Sequence, residues 1–158
     1  MNVKTILVPL DGSLLAELAL TPAVEMAREK DAKLVLLRAA EAHTTVADPT
    51  EAQVGVVREA EDYLAGVRRR VLGGGAPVVE TSVWYGPPAE AIAEAAKYRE
   101  ADLIVMSSHG RSGLGRLVLG SVAESVLRAT TTPILLIRPG NAPVDTPYWA
   151  AAKELSHV

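Results

Sequence analysis

The 158-residue sequence contains no cysteine and no phenylalanine, and aromatic residues make up only 4% of it. Without cysteine there can be no disulfide framework, thiolate zinc site, iron–sulfur cluster or cysteine nucleophile. With so few rings the core must be aliphatic. Long apolar runs are also lacking: no stretch of about 18 apolar residues exists to span a bilayer, and the start, Met1-Asn2-Val3-Lys4-Thr5-Ile6, has no signal-like apolar segment. A soluble, cytoplasmic protein without membrane association is expected. A surplus of positive charge is missing as well, since 16 Lys+Arg face 19 Asp+Glu for a formal charge of −3. That balance argues against a general nucleic-acid binder, which needs basic residues concentrated on one face. One window breaks the pattern. From Leu103 to Arg138 four arginines (Arg111, Arg116, Arg128, Arg138) stand against the single Glu124, a local charge of +3.

What is present is an alternation of short apolar runs with segments of helical period, the signature of a parallel sheet flanked by helices. The runs Thr5 to Leu10, Lys33 to Ala40, Pro77 to Tyr85, Asp102 to Ser107 and Pro133 to Arg138 predict five strands. Leu34-Val35-Leu36-Leu37 and Leu103-Ile104-Val105-Met106 have no polar interruption, as strands covered on both faces require. Four helical segments lie between them. The first runs from Ser13, a plausible N-cap, to Lys30, with Leu15, Leu18, Ala19, Ala23, Met26 and Ala27 on one stripe and a kink expected at Pro22. The second, 51–72, places Val54, Val57, Leu64, Val67 and Val71 inward and ends at Gly73-Gly74-Gly75. The third opens at Pro87-Pro88 and runs to Arg99. The fourth runs from Gly120-Ser121 to Ala129, with Val122, Val126 and Leu127 inward.

The predicted fold is therefore α/β: a single domain over residues 1–139, with an open, doubly wound, Rossmann-like five-stranded parallel sheet and four flanking helices. Ligands of such sheets bind beyond the carboxyl ends of the strands, where strand order reverses. Residues 41–50 read as a long plain loop. The tail, 140–158, with Tyr148 and Trp149, reads either as a frayed terminus or as an aromatic arm docking on this or a partner subunit.

Familiar catalytic signatures fail on spacing. No Gly-Lys pair exists for a Walker A loop. A dinucleotide fingerprint from Gly113 would need glycine where Val118 stands, and a nucleophile elbow on Ser112 would need one where Leu114 stands. His43, His109 and His157 lie far apart in sequence, which disfavours a metal site built on them. A phospho-acceptor receiver domain would want clustered carboxylates after the first strand, and only Asp11 is there.

What remains is the segment from Met106 to Ser121, which leaves the fourth strand and ends at the start of the fourth helix. Its small residues let backbone N–H groups converge, and Gly120-Ser121 sets a hydroxyl and free amides at a helix N-terminus, where the macrodipole favours an anion. Charge-assisted contacts of about 1.5–3 kcal/mol each could hold a triphosphate without a lysine.

Here the chain resembles the universal stress protein family. Ser107-Ser108-His109-Gly110-Arg111, Leu119-Gly120-Ser121-Val122-Ala123-Glu124 and Pro133-Ile134-Leu135-Leu136-Ile137 are similar to that family's C-terminal signature. Ile6-Leu7-Val8-Pro9-Leu10-Asp11-Gly12-Ser13 is similar to its first strand and loop, and Gly86-Pro87-Pro88-Ala89-Glu90 to the opening of its third helix. ATP-binding members carry glycine, two residues, glycine, nine residues, then glycine with Ser or Thr. Gly110, residues 111–119 and Gly120-Ser121 match, while Ser107 holds the place of the first glycine. Serine suits that place only where the backbone φ is not positive.

The resemblance implies ATP as ligand. Pro9, Leu10 and Asp11 would line one side of the site, Ala39 would lie against adenine, and Met106, Ser107 and Ser108 would meet the base and ribose. His109, Gly110, Arg111, Gly120, Ser121 and Val122 would surround the phosphates. Asp11 is read either as a helix cap or as a group holding ribose or a hydrated Mg²⁺ ion. His109 reads as a positioning residue rather than a general base, because no carboxylate or nucleophile is placed beside it by sequence. The resemblance also implies a homodimer through Pro133 to Arg138. The function so expected is an ATP-binding stress-response protein, a nucleotide-dependent switch or interaction module with an unidentified protein partner and at most weak ATP hydrolysis. The alternatives are a nucleotide-free interaction module of the same fold and a slow ATPase.

Overall fold

The computed structural model describes residues 1–41, 49–109 and 119–138. Most of the expected loop at 41–50, the stretch 110–118 and the tail with Tyr148 and Trp149 lie outside the described residues. The chain runs through Thr5–Pro9 (β1), Leu14–Glu17 (α1), Leu20–Lys30 (α2), Lys33–Ala40 (β2), Pro49–Gly73 (α3), Val78–Tyr85 (β3), Pro88–Tyr98 (α4), Leu103–Ser107 (β4), Ser121–Ala129 (α5) and Ile134–Ile137 (β5). All five strands are parallel, in the order β3-β2-β1-β4-β5. Strand order therefore reverses between β1 and β4.

Apolar residues alternate between the two faces of each inner strand, and each face has its own core. Ile6, Val8, Leu34, Leu36 and Val105 meet Leu20, Ala23, Val24 and Ala27 of α2 and Leu64, Val67 and Val71 of α3. On the opposite face Leu7, Val35, Leu37 and Ile104 meet Ile92, Ala95 and Ala96 of α4 and Ala123 and Val126 of α5. Burial of each such Leu, Ile or Val contributes about 1.5–3 kcal/mol, so the sheet is held by its two aliphatic layers without any aromatic centre.

β1 pairs with β2 over five residue pairs but with β4 over two, Ile6↔Leu103 and Leu7↔Ile104. The amide of Leu10 donates to Leu37 of β2, and the carbonyl of Thr5 accepts from Asp102, just before β4. Successive residues of a strand turn their backbone groups to opposite sides, so even-numbered residues of β1 serve β2 and odd-numbered ones serve β4. Pro9 is odd, and it has no N–H to give. The β1–β4 ladder stops there, and the two strands part at their carboxyl ends. At the other end they are tied by Asp102, whose Oδ2 accepts from the amides of Lys4 (2.8 Å) and Thr5 (2.9 Å).

Some expectations are corrected. The first helical segment is divided before Pro22 rather than kinked at it: α1 ends at Glu17 and α2 begins at Leu20. With Ala19 as the N-cap of α2, Pro22 falls in the first turn, where its missing N–H has no intrahelical acceptor to lose. Val54 (54% exposed) and Leu127 (47%) do not face the core. The layer under α5 takes only a narrow stripe, Ala123 and Val126, one turn apart. Ser13 does cap α1, its side chain accepting from the Ala16 amide at 3.1 Å.

Glu17 is 5% exposed and carries a charge. Both its oxygens are taken by Arg70 of α3 (2.9 Å each), and Oε1 also accepts from the Tyr63 hydroxyl at 2.9 Å. Burial, then the Glu17 charge, pushes the Tyr63 phenol well above its ordinary range, while the bond to Glu17 raises Arg70. We expect Glu17→Ala to cost about 2 kcal/mol, because two groups lose their acceptor, and Tyr63→Phe about 1 kcal/mol. Urea unfolding followed by circular dichroism measures both.

Candidate functional site at the carboxyl ends of the strands

A cavity of about 400 Å³ opens where β1 and β4 part, within the usual range for small-molecule sites of about 300–1,000 Å³. Pro9, Leu10, Asp11, Ala39, Met106, Ser107, Ser108, His109, Gly120, Ser121 and Val122 all line it. Eleven of the thirteen residues expected at the site thus border one space, although they come from four separate parts of the chain. Gly110 and Arg111 lie outside the described residues.

The β4 side is built from backbone. Ser107 is buried and paired with Ile137 of β5. It is not among the described non-glycine residues with positive φ, which are Asp31 and Glu100, so its backbone accepts a serine where the family motif has glycine. Ser108 ties the end of β4 to its neighbours twice: its amide donates to Ile137 at 2.8 Å, and its carbonyl accepts from the Gly120 amide at 2.9 Å. This second contact explains Gly120. A Cβ there would lie 2.5 Å from the Ser108 carbonyl oxygen, a distance that backbone must move to relieve. Gly120 is the N-cap of α5 and offers no side chain to the helix end. Residues 121–123, whose amides have no partner within the helix, line the cavity. Val122, expected in the core, is 37% exposed and faces this opening.

His109 has a tautomer that follows from counting partners. Its Nδ1 lies 2.9 Å from the hydroxyl of Ser108, which is 2% exposed. If Ser108 donates, one polar hydrogen, that of Nε2, is left over; if Nδ1 donates, both the serine O–H and the Nε2 lone pair are left over. The first arrangement wastes fewer groups. His109 is therefore assigned as the Nε2–H form, and that nitrogen is buried without a partner among the described residues.

The β2 side is built from charged side chains. Arg38, Glu41 and Glu59 line the cavity together with Ala40, Val56, Pro88 and Ile92. Arg38 is 9% exposed, donates from Nη2 to Glu59 Oε1 at 3.0 Å, and lies with Cζ 5.0 Å from the Tyr63 ring centroid. None of these residues was expected. Arg38 was legible as the one charge after the apolar run Leu34-Val35-Leu36-Leu37 of β2; Glu59, on an exposed helix face 21 residues away, was not. Asp11, in the middle, accepts from the Ser13 amide at 2.9 Å and so orients the loop that enters α1. Among the described residues no group of three His, Cys, Asp or Glu side chains is placed to hold a metal ion.

The Gly120 contact has a measurable consequence. Gly120→Ala should lower stability by about 1–3 kcal/mol through overpacking, read as a fall in melting temperature.

The comparisons with known proteins agree with this geometry. The model of the universal stress protein family matches residues 2–138. A universal stress protein of Methanocaldococcus jannaschii is 32% identical over 140 residues, covering 85% of this chain and 82% of its own. Among solved structures, universal stress protein UspA from Lactobacillus plantarum superposes with a TM-score of 0.76 at 28% identity, covering 87% of this chain and 99% of that one. A universal stress protein solved in complex with cAMP superposes with a TM-score of 0.69 at 25% identity, covering 87% and 98%. With a parallel sheet in the order β3-β2-β1-β4-β5, a cavity at its switch point and a family match over nearly its whole length, the chain belongs to the universal stress protein family.

Proposed function

We propose that the chain binds an adenine nucleotide, ATP, in this cavity, and that occupancy switches its interaction surface. The observation that carries the reading is the asymmetry of the cavity. At the β4 side the amides of residues 121–123 begin a nine-residue helix that has no side-chain cap. Such an end carries about half a positive charge and favours phosphate. At the β2 side Ala39, Pro88 and Ile92 supply an apolar wall for a base. The relative solved with cAMP carries an adenine nucleotide on the same fold.

Magnesium would meet the protein chiefly through Asp11, because no three-residue ligand group exists among the described residues. The ion is therefore expected to be held by the phosphates, with Asp11 touching its water shell, and to supply charge neutralisation there. Turnover is expected to be slow at most: the His109 nitrogen that could accept a proton is engaged by Ser108, and no lysine is among the described residues that line the cavity. Isothermal titration of the full chain with ATP and Mg²⁺ tests the reading. We expect a dissociation constant below millimolar, and no heat at millimolar ligand would overturn it.

The sheet's edge supports a reading of the assembly. β5 is an edge strand, and its four residues Ile134–Ile137 are all half-buried and apolar, an open ladder that a second copy can cover. A cytoplasmic homodimer joined there is the assembly we infer. Light scattering at tens of micromolar should give twice the 16.7 kDa chain mass, and a monomer would contradict it.

A further inference from the structure

The Arg38–Glu59 pair has a property that an ordinary surface ion pair lacks. It makes one contact, Nη2 to Oε1, although an arginine and a carboxylate can make two. The Glu59 side chain is largely exposed, so its second oxygen is open, and both residues line the cavity. Arg38 is itself nine-tenths buried, and the open space it borders is the cavity. Tyr63 covers the guanidinium and the Glu17–Arg70 pair holds Tyr63, so the donor is fixed in place. A fixed donor beside an acceptor on a pocket wall is a reading head for a polar edge.

The direction of the edge follows from the strand order and rests on the nucleotide reading above. β2 and β4 flank β1, about 10 Å apart at ordinary strand spacing. Phosphates at α5 beside β4, with the sugar crossing β1 at Asp11, leave the base against β2. In a purine the glycosidic nitrogen and carbon 6 lie at opposite ends of the ring system. The carbon 6 substituent therefore leads toward the far wall, which is Arg38 and Glu59. We infer that these two residues determine base specificity: Glu59 accepts from an exocyclic amino group, and Arg38 donates to the ring nitrogen beside it. The ligand class is a 6-aminopurine. A 6-oxopurine would turn its carbonyl oxygen toward the Glu59 carboxylate, two acceptors facing each other, which a hydrogen-bonding site rejects strongly.

Glu59 is well suited to the test because its side chain is 69% exposed, so replacing it removes little packing. ATP and ITP, which differ at carbon 6, are titrated into the full chain, into Glu59→Gln and into Glu59→Lys, with a thermal melt to confirm folding. The wild type should bind ATP at least about tenfold more tightly than ITP. Glu59→Gln, whose amide can accept or donate, should bring the ratio to within about threefold, and Glu59→Lys, a pure donor, should favour ITP. A structural role for Glu59 would weaken both ligands alike and leave the ratio where it was. Equal binding by the wild type, or a preference that both variants retain, overturns the inference and leaves the nucleotide site standing. Failure of the wild type to bind either nucleotide overturns the functional reading, and this inference with it.

Discussion

The constraint on which the rest depends is a proline in the central strand. A parallel sheet ordinarily zips its neighbours along their full overlap, as β2 and β3 do over eight residue pairs. Pro9 sits in β1 with its nitrogen on the side of β4, and no amide is available for the next rung. Pairing stops after Leu7↔Ile104. The topology would place a crevice at this point in any case, because strand order reverses between β1 and β4. The missing donor deepens that crevice into a cavity. The amino-terminal ends of the same strands are clamped by Asp102 against two amides, so the sheet opens at one end only.

The two walls of this opening are built by different means. On the β4 side the polar groups belong to backbone and are held by backbone: Gly120 approaches the Ser108 carbonyl so closely that no Cβ fits, and the start of α5 is thereby fixed against the end of β4. On the β2 side the polar groups are side chains, and side chains need support to keep one geometry. That support is the chain of contacts from Arg38 to Tyr63, Glu17 and Arg70. A buried ionic network contributes little net stability, since desolvation offsets most of the attraction. Its effect is orientation. It joins α1 and α3 and keeps the Arg38 guanidinium at the wall.

Legibility in the sequence followed the same division. The sheet was readable because Leu34-Val35-Leu36-Leu37 and Leu103-Ile104-Val105-Met106 are uninterrupted, and the β4 wall because glycine and serine at fixed spacing announce a turn into a helix N-terminus. The β2 wall was not readable. Arg38, Glu59, Tyr63 and Glu17 meet across three elements, and no periodicity relates a strand residue to one 21 positions later. Helix faces were misjudged where apolar residues lie outside the buried stripe: Val54 and Leu127 repeat at helical spacing, yet the narrow layers beneath α3 and α5 do not reach them. Pro22 misled for a different reason. A proline marks a disturbance of the ladder, but whether the helix bends there or starts just before depends on which N–H groups are already free, and that is decided by the break at Leu18-Ala19.

Ser107 shows how a departure from a motif can be judged by geometry. A glycine in a conserved pattern can be required by a positive φ, by a close approach, or by neither. Gly120 is required by close approach, as its distance to Ser108 demonstrates. Ser107 is an ordinary strand residue paired in register with Ile137, so the backbone imposes no such requirement. Its hydroxyl accepts, at 3.4 Å, from the amide of His109, the residue whose ring is oriented by Ser108. The serine thus engages the amide at the end of β4, and the amides of residues 121–123 in the first turn of α5 remain for an anion. In the nucleotide reading proposed above, phosphate would rest on the helix end more than on the strand end.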